Sequence, residues 1–202
     1  MTFPNILSVL RIALSPVFMV LFLKDDPVSR RVSFVVFFIA VLTDWYDGWH
    51  ARKYKSVTNF GIFIDPLADK VLTSFAFGIF YALGFMPLWM LVIIVLRDIF
   101  VTLIRSYDEY KGRTMKTSFI AKTKTFLQMT YIFFILLLFM VLTYGIDLET
   151  KNTISGFIFD SRLNYILLLI ITLVTLYTGI DYLIKKEYEK RNETAEEEKD
   201  NK

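Results

Sequence analysis

Hydrophobic residues in this chain form long, nearly unbroken blocks that are separated by short polar links. Each block comes close to the roughly 20 apolar residues that a helix needs to cross a lipid bilayer. Six blocks can be traced, and they cover residues 6–23, 32–49, 66–85, 87–104, 126–144 and 163–182. Because a span in lipid must satisfy its own backbone hydrogen bonds, the pattern predicts an all-α, polytopic membrane protein with six transmembrane helices. We place these helices in a single domain, residues 1–187.

Composition supports this class and narrows the chemistry that the chain can perform. Hydrophobic residues make up 55% of the 202 residues, more than in a typical soluble domain. The absence of cysteine excludes disulfides, thiolate metal sites and catalytic thiols, and the single histidine excludes a multi-histidine metal centre. The start, MTFPNILSVLR, lacks the basic segment and cleavage site of a signal peptide, so we expect the first block to be retained.

Lysine and arginine are unequally distributed between the two sides of the predicted bundle. Most of them lie in the link after the second block, in the link after the fourth block and behind the sixth block. Since cytoplasmic loops are enriched in these residues, both termini are predicted to be cytoplasmic. Residues 188–202 are dominated by charged side chains, and we expect them to form a disordered cytoplasmic tail.

Four aspartates interrupt the apolar pattern in the stretch TDWYDGWHARKYKSVTNFGIFIDPLADK, residues 43–70. The apolar run before them, residues 32–43, would form only about 18 Å of helix, short of a hydrocarbon core of about 30 Å. The run after them, residues 71–85, is short in the same way. We therefore expect both helices to continue into the acidic stretch, which places the carboxylates at the cytoplasmic edge of the membrane. Pro66 is expected in the first turn of its helix, where its missing N–H costs little.

Helical spacing places the four carboxylates on two stripes, one on each of two antiparallel neighbouring helices. The positions on these stripes are Asp44, Asp47, Gly48, Ala51 and Arg52 on the second helix and Gly61, Asp65 and Asp69 on the third. Carboxylates so close together repel in a low dielectric, and a divalent cation is the natural compensation. An all-oxygen set suits Mg²⁺ or Mn²⁺ better than zinc.

The remaining positions on these stripes suit a ligand that carries a pyrophosphate. Gly48, Ala51 and Gly61 leave space for the ligand to approach the backbone, and the guanidinium of Arg52 is suited to phosphate. In the alternative interpretation, the acids are solvated at the membrane interface or paired with neighbouring lysine and arginine. We favour a functional site, because ionisable residues within a membrane usually serve function.

The motif D-x2-D-G-x2-A-R-x8-G-x3-D-x3-D, from Asp44 to Asp69, resembles the complete signature of the CDP-alcohol phosphatidyltransferases. These are six-helix membrane enzymes, commonly homodimers, that displace CMP from a CDP-linked lipid with an alcohol acceptor. The resemblance implies that Asp44, Asp47 and Asp65 bind the metal, with Asp69 at its edge. It also implies that Asp69 is the general base that deprotonates the acceptor hydroxyl. The implied CDP-binding residues are Asp44, Asp47, Gly48, Ala51, Arg52, Gly61 and Asp65.

Three further stretches bear on the acceptor. PNILSVLRIALSPVF at residues 4–18, RDIFVTLIR at 97–105 and AKTKTFLQM at 121–129 resemble the bacterial phosphatidylglycerophosphate synthases, whose acceptor is sn-glycerol 3-phosphate. Basic side chains near a metal–pyrophosphate site suit an acceptor with its own phosphate. The candidates for this role are Arg11, Arg105, Lys122 and Lys124. For all of these except Arg11, which lies within an apolar block, the alternative is a contact with lipid headgroups on the cytoplasmic side.

The resemblance, together with the distribution of lysine and arginine, predicts an enzyme of the inner (cytoplasmic) cell membrane whose site faces the cytoplasm. Its expected substrates are CDP-diacylglycerol and glycerol 3-phosphate, and its expected partners are membrane lipid and a second copy of the chain, without nucleic acid. Two alternatives within the family are an inositol phosphate, which would also explain the basic residues, and serine, which would not. A small cation transporter is disfavoured, because a translocation path would place some of the acids near the membrane midplane.

Overall fold

Every element in the described part of the chain is an α-helix. The computed structural model describes the backbone of residues 3–54, 59–112 and 119–200, and the side chains of residues 5–43, 61–112 and 119–188. Within these ranges the helices are α1 (Phe3–Leu23), α2 (Pro27–Tyr54), α3 (Asn59–Ala82), α4 (Leu88–Tyr110), α5 (Phe119–Val141), α6 (Leu148–Phe159) and α7 (Arg162–Asp200). The predicted all-α class is confirmed.

Each of the six predicted blocks coincides with a helix of at least 21 residues, which is about 31 Å long and sufficient for a membrane span. By length and composition alone, three segments of the described chain qualify as spans: Asn5–Leu23, Phe119–Val141 and Leu148–Tyr188. Large apolar side chains cover the outside of the bundle, as at Val20, Leu96 and Leu173, which are 54–63% exposed. This is a membrane protein, and the orientation of its termini stays a prediction.

The two acid-bearing helices extend as the run-length argument predicts. The α2 helix continues past Thr43 to Tyr54, and α3 begins at Asn59, before Asp65. Pro66 does not lie in the first turn, however; it lies inside α3, so that prediction was wrong. The apolar residues 61–64 precede Asp65 and extend the helix, and the ring of Phe63 packs against Tyr110 at the end of α4 with centroids 5.9 Å apart. Proline has helical φ, so the helix passes through it with the loss of one hydrogen bond.

The aromatic core lies at the end of the bundle away from the acids. The α1 and α3 helices run in the same direction, because Ser8 lies beside Asp65 and Met19 lies beside Gly78. Their phenylalanines therefore meet at the far end, where Phe18 packs on Phe37 of α2 with ring centroids 5.0 Å apart. The fully buried rings of this core are Phe18, Phe22, Phe37, Phe77 and Phe80. Because lipid tails are as apolar as these rings, close van der Waals packing rather than removal from water holds the helices together at this end.

Two aspartates cap helices at this same end, outside the apolar spans. Asp26 accepts a hydrogen bond from the Ser29 N–H at 2.7 Å, and Pro27 takes the first position of α2. Asp147 accepts from the Thr150 N–H at 2.8 Å at the start of α6. Because these donors favour the ionised carboxylate, the pKa of each aspartate lies below its usual value.

The sequence analysis did not predict the short helix α6. Its C-terminal half packs on the bundle, where Ile158 is buried and the Phe159 ring lies 5.7 Å from that of Phe85. An N-cap at Asp147 followed by apolar residues at helical spacing was the signal that could have identified it. The segment was described only as a polar link between two apolar blocks, and α6 was missed for that reason.

Disorder was expected for residues 188–202, whereas the α7 helix continues to Asp200; the division of the chain into a membrane domain and a separate tail stays a prediction. Glutamate and lysine dominate this segment, and these residues favour helix and allow ion pairs one turn apart. The helix is also anchored as it leaves the apolar span. There Lys186 Nζ donates to Asp108 Oδ2 of α4 at 2.6 Å.

Candidate active site

A stripe of polar side chains lies on the buried face of α1, towards its N-terminus. Asn5, Ser8, Arg11 and Ser15 are each no more than 4% exposed. Their spacing of three, three and four residues keeps them on one side of the helix. Buried polar groups need polar partners, so this stripe marks the side of α1 that faces a polar site.

The stripe meets the third signature aspartate on α3. Ser8 Oγ donates to Asp65 Oδ1 at 2.6 Å. Arg11, one turn further along α1, lies close enough for its positive charge to act on the same carboxylate. Ser15, one turn beyond Arg11, donates instead to the Arg11 backbone carbonyl at 2.8 Å. Asp65 therefore has a hydroxyl and a guanidinium from α1 in its surroundings.

Asp69, the predicted base, lies one helical turn after Asp65 and remains partly accessible. Its side chain is 25% exposed, and Lys70 Nζ donates to Oδ2 at 2.9 Å. Thr73 donates its hydroxyl to the backbone carbonyl of Asp69 at 3.2 Å, so the carboxylate is not used for that contact. Gly61, one turn before Asp65, is buried. The three positions on the α3 stripe thus combine two oxygen-donor side chains with a residue that has no side chain.

The remaining signature positions belong to the described helix but not to the described side chains. Asp44, Asp47, Gly48, Ala51 and Arg52 all lie within α2. Among the side chains that the structure describes, no three aspartates, glutamates or histidines come close enough to hold a metal ion. Because the side chains of Asp44 and Asp47 lie outside the described residues, the four-carboxylate site stays a prediction.

The four basic residues proposed for the acceptor phosphate lie in different environments. Arg11 and Lys124 are buried, whereas Arg105 and Lys122 are exposed. Arg11 belongs to the polar stripe beside Asp65, and Lys124 is paired with Asp98 of α4. Arg11 is thus placed beside Asp65 and Lys124 beside Asp98, and the role in acceptor binding stays a prediction for all four.

A buried ionic network around Asp98 joins α4, α5 and α7. Asp98 is 2% exposed and accepts from Lys124 Nζ of α5 and from Arg97 Nη1, the latter at 3.1 Å. Arg97 Nη2 donates to Thr178 Oγ1 of α7 at 2.8 Å. Arg97 also lies directly over Gly179, since a Cβ at that position would come within 2.8 Å of the Arg97 Cγ.

From the sequence, Lys124 was interpreted as a ligand of the acceptor phosphate or a contact with lipid headgroups, so its pairing with Asp98 was missed. Lys124 and Asp98 are 26 residues apart, and only the packing of α4 against α5 brings them together. The usable signal was an acid and a lysine inside consecutive apolar helices, which in a membrane need partners of opposite charge.

Comparison with known proteins agrees with the signature. Residues 1–177 match the family described as CDP-alcohol phosphatidyltransferase. A CDP-diacylglycerol–glycerol-3-phosphate 3-phosphatidyltransferase of Bacillus subtilis (strain 168) is 38% identical over 137 residues, covering 62% of this chain and 71% of that protein. The protein of the same name from Rickettsia bellii (strain RML369-C) is 32% identical over 179 residues, 89% of this chain and 92% of that protein. A probable phosphatidylglycerophosphate synthase of Mycobacterium tuberculosis (strain ATCC 25618 / H37Rv) is 37% identical over 127 residues, 61% of this chain and 60% of that protein.

Proposed function

This chain belongs to the CDP-alcohol phosphatidyltransferase family, and from that premise we propose that it transfers the phosphatidyl group of CDP-diacylglycerol to sn-glycerol 3-phosphate. The products are phosphatidylglycerophosphate and CMP. Two relatives that each align over at least 62% of the chain carry the name of this activity, and they support the acceptor. The main structural support for the site is that Asp65 and Asp69 lie one turn apart on α3, and that Ser8 of α1 donates a hydrogen bond to Asp65.

The donor set fits a hard divalent cation. The acidic positions, Asp44, Asp47, Asp65 and Asp69, offer only oxygen, which Mg²⁺ and Mn²⁺ prefer. Bound there, the ion would neutralise charge on the pyrophosphate and stabilise the departing phosphate oxygen. On the α3 side, Asp65 and Asp69 lie on one face of the helix and supply two of these carboxylates.

The CDP group would lie along the small side chains of the two stripes. Gly48 and Ala51 on α2 and Gly61 on α3 leave the backbone approachable, and Arg52 offers a planar guanidinium to a phosphate. Gly61 is buried, which supports a close approach of ligand or helix at this point. Asp44, Asp47 and Asp65 complete the proposed CDP site.

The bond changes balance with Asp69 as general base. The acceptor hydroxyl oxygen forms a bond to the phosphorus that carries the diacylglycerol. The bond from that phosphorus to the CMP oxygen breaks, and CMP leaves with the electron pair. Asp69 takes the hydroxyl proton, a role that its partial exposure permits.

The acceptor's own phosphate would be bound by basic side chains. Arg11 is the best supported of them, because it lies on the polar stripe beside Asp65. Arg105 and Lys122 are exposed and could receive a soluble acceptor from the same side. Lys124 would act only if its pairing with Asp98 leaves a donor available, since an ammonium has three N–H donors.

The membrane side and assembly state belong to this proposal as well. The excess of lysine and arginine in the links at the acidic end supports a site that opens to the cytoplasm from the inner membrane. A homodimer is proposed from the family resemblance alone.

One assay tests the acceptor. Membranes that contain the protein are given CDP-diacylglycerol and Mg²⁺, and CMP release is followed with glycerol 3-phosphate, an inositol phosphate or serine. We expect release with glycerol 3-phosphate. Release with serine or the inositol phosphate, and none with glycerol 3-phosphate, would refute the proposed acceptor while leaving the family chemistry intact.

A further inference from the structure

Ser8 makes a contact that lies outside the family signature of this chain. Its side chain is fully buried in α1, and its hydroxyl donates to Asp65 Oδ1 of α3 at 2.6 Å. The two residues are 57 positions apart in the sequence, so the bond joins two separate helices. A hydroxyl bound to an ionised carboxylate at this distance forms a charge-assisted hydrogen bond, about twice as strong as a neutral one.

Two other serines in the bundle are directed differently. Ser15 donates to the backbone carbonyl of Arg11, and Ser74 donates to that of Lys70, each one turn back in its own helix. Serine and threonine inside helices commonly make this local bond, which needs no partner on another element. The bond from Ser8 instead depends on the position of α1 against α3. It therefore fixes a particular carboxylate within the bundle.

The chemistry of the donor distinguishes Asp65 from its neighbour. Asp69 accepts from the charged ammonium of Lys70, whereas Asp65 accepts from a neutral hydroxyl. The hydroxyl of Ser8 restricts the rotation of the carboxylate without adding to the positive charge that Arg11 already brings to its surroundings. Carboxylates that ligate metals are usually held in this manner by hydrogen bonds from surrounding residues.

We propose that Ser8 is a positioning residue that fixes the rotation of the Asp65 carboxylate for a divalent metal ion. This inference rests on the proposed function, in which Asp65 is a metal ligand. Without the hydroxyl, the carboxylate would have to be ordered when the ion binds, and part of the binding free energy would be lost. Loss of such a supporting group typically lowers metal affinity or activity about 10–100-fold.

The test measures binding of Mn²⁺ alone to the purified full chain in detergent, by the loss of the free Mn²⁺ signal in electron paramagnetic resonance. We expect Ser8→Ala to raise the Mn²⁺ dissociation constant about 10–100-fold, and Ser8→Thr to restore most of the affinity because it keeps the hydroxyl. Unchanged Mn²⁺ affinity in Ser8→Ala would overturn the proposal.

Ser15→Ala is the matched control, because Ser15 is equally buried on the same stripe but bonds to its own helix. We expect its Mn²⁺ affinity to equal that of the unaltered protein. Equal losses in Ser8→Ala and Ser15→Ala would contradict positioning and indicate a general effect on α1. If Ser8→Ala does not fold, Ser8→Val and Ser8→Thr replace it as a pair of equal shape that differs in the hydroxyl. Equal Mn²⁺ affinity in that pair would also overturn the proposal.

Asp65→Asn separates this inference from the proposed function. If Asp65→Asn binds Mn²⁺ as well as the unaltered protein does, Asp65 is not a ligand and the proposed metal site fails. If Asp65→Asn loses binding while Ser8→Ala keeps it, the metal site stands and only the positioning role fails. Loss in both, with rescue by Ser8→Thr, is the result expected here.

Discussion

Asp65 and Asp98 are both carboxylates inside the helical bundle, but their hydrogen-bond partners differ in charge. Asp65 accepts from the neutral hydroxyl of Ser8 and is partly exposed. Asp98 is 2% exposed and accepts from two cations, Lys124 and Arg97. Asp65 has the guanidinium of Arg11 in its surroundings but stays partly exposed, so part of its charge remains available to a ligand, whereas two directly bonded cations compensate the charge of Asp98.

We interpret the surroundings of Asp65 as part of a ligand-binding site and those of Asp98 as a structural ionic network. A buried charge is tolerated when an opposite charge and hydrogen bonds satisfy it, and Asp98 meets both conditions across α4 and α5. Asp65 and Asp69 lie on α3 with their carboxylates accessible in part, which is expected of groups that meet a substrate. Substitutions at Asp65 and Asp69 should therefore alter turnover and metal binding, whereas substitutions at Asp98 should alter stability.

Asp69→Asn should have the greatest effect on turnover. Removal of a general base slows the reaction about 10²–10⁴-fold, because no positioned group then accepts the proton of the acceptor hydroxyl. Binding of CDP-diacylglycerol, measured by calorimetry in detergent, should change much less. An Asp69→Asn protein that releases CMP at the normal rate would refute the assignment of Asp69 as general base. The functional difference proposed between the acidic end and Asp98 would then lose its support.

Asp98→Ala should act on stability instead. It leaves the buried ammonium of Lys124 and the guanidinium of Arg97 without their carboxylate, which costs about 3–5 kcal/mol in the free energy of unfolding. Denaturant unfolding in detergent measures this loss. The double change Asp98→Leu with Lys124→Leu is the control, because removal of both charges should restore much of the stability. Full stability of Asp98→Ala would show that the network does not hold the helices together.

Gly179→Ala on α7 tests the same ionic network, with a smaller expected loss of stability. The added Cβ would lie 2.8 Å from Arg97 Cγ, so Arg97 must move away from Asp98 or Thr178. Such overpacking costs about 1–3 kcal/mol in the free energy of unfolding. Gly156→Ala in α6 is the matched control, since nothing lies within 4 Å of its Cβ position. Equal unfolding free energies for the two variants would contradict the packing of Arg97 on α7.

Asp147 offers a third case, a carboxylate held by neutral donors at the opposite end of the bundle. Hydrogen bonds from Thr150 lower its pKa, so its contribution to α6 is present above the unfolded-state pKa of about 3.9 and lost as the pH falls through the folded value. Amide exchange in the first turn of α6, corrected for intrinsic rates, should be unchanged between pH 8 and pH 6 and faster near pH 3. In Asp147→Ala this loss of protection in acid should be absent. The same acid response in that variant would exclude Asp147 as its origin.

Sequence patterns predicted the spans well because length and apolar content determine them. The shortfall of the run at residues 32–43 correctly indicated that α2 passes through Asp44 and Asp47. Pro66 was misplaced because the apolar residues before Asp65 extend α3, and local preference for a first-turn proline did not decide the boundary. The α6 helix was missed because its stability comes from contacts such as Phe159 with Phe85, which are distant in sequence.

The site was predicted only as far as local spacing could reveal it. The positions Asp65 and Asp69 follow from helical periodicity, and the structure keeps them on one face. The hydrogen bond from Ser8 and the pairing of Lys124 with Asp98 depend on which helices pack together, which no local pattern encodes. Polar residues at helical spacing on α1 were visible in the sequence, but only Arg11 was recognised.

The most direct measurement follows labelled sn-glycerol 3-phosphate in vesicles that contain the purified protein, CDP-diacylglycerol and Mg²⁺. The proposed function predicts that the label enters lipid as phosphatidylglycerophosphate, with one CMP released for each labelled lipid. It predicts no incorporation above background for Asp69→Asn. CMP release without labelled lipid, or equal incorporation by the Asp69→Asn protein, would contradict it.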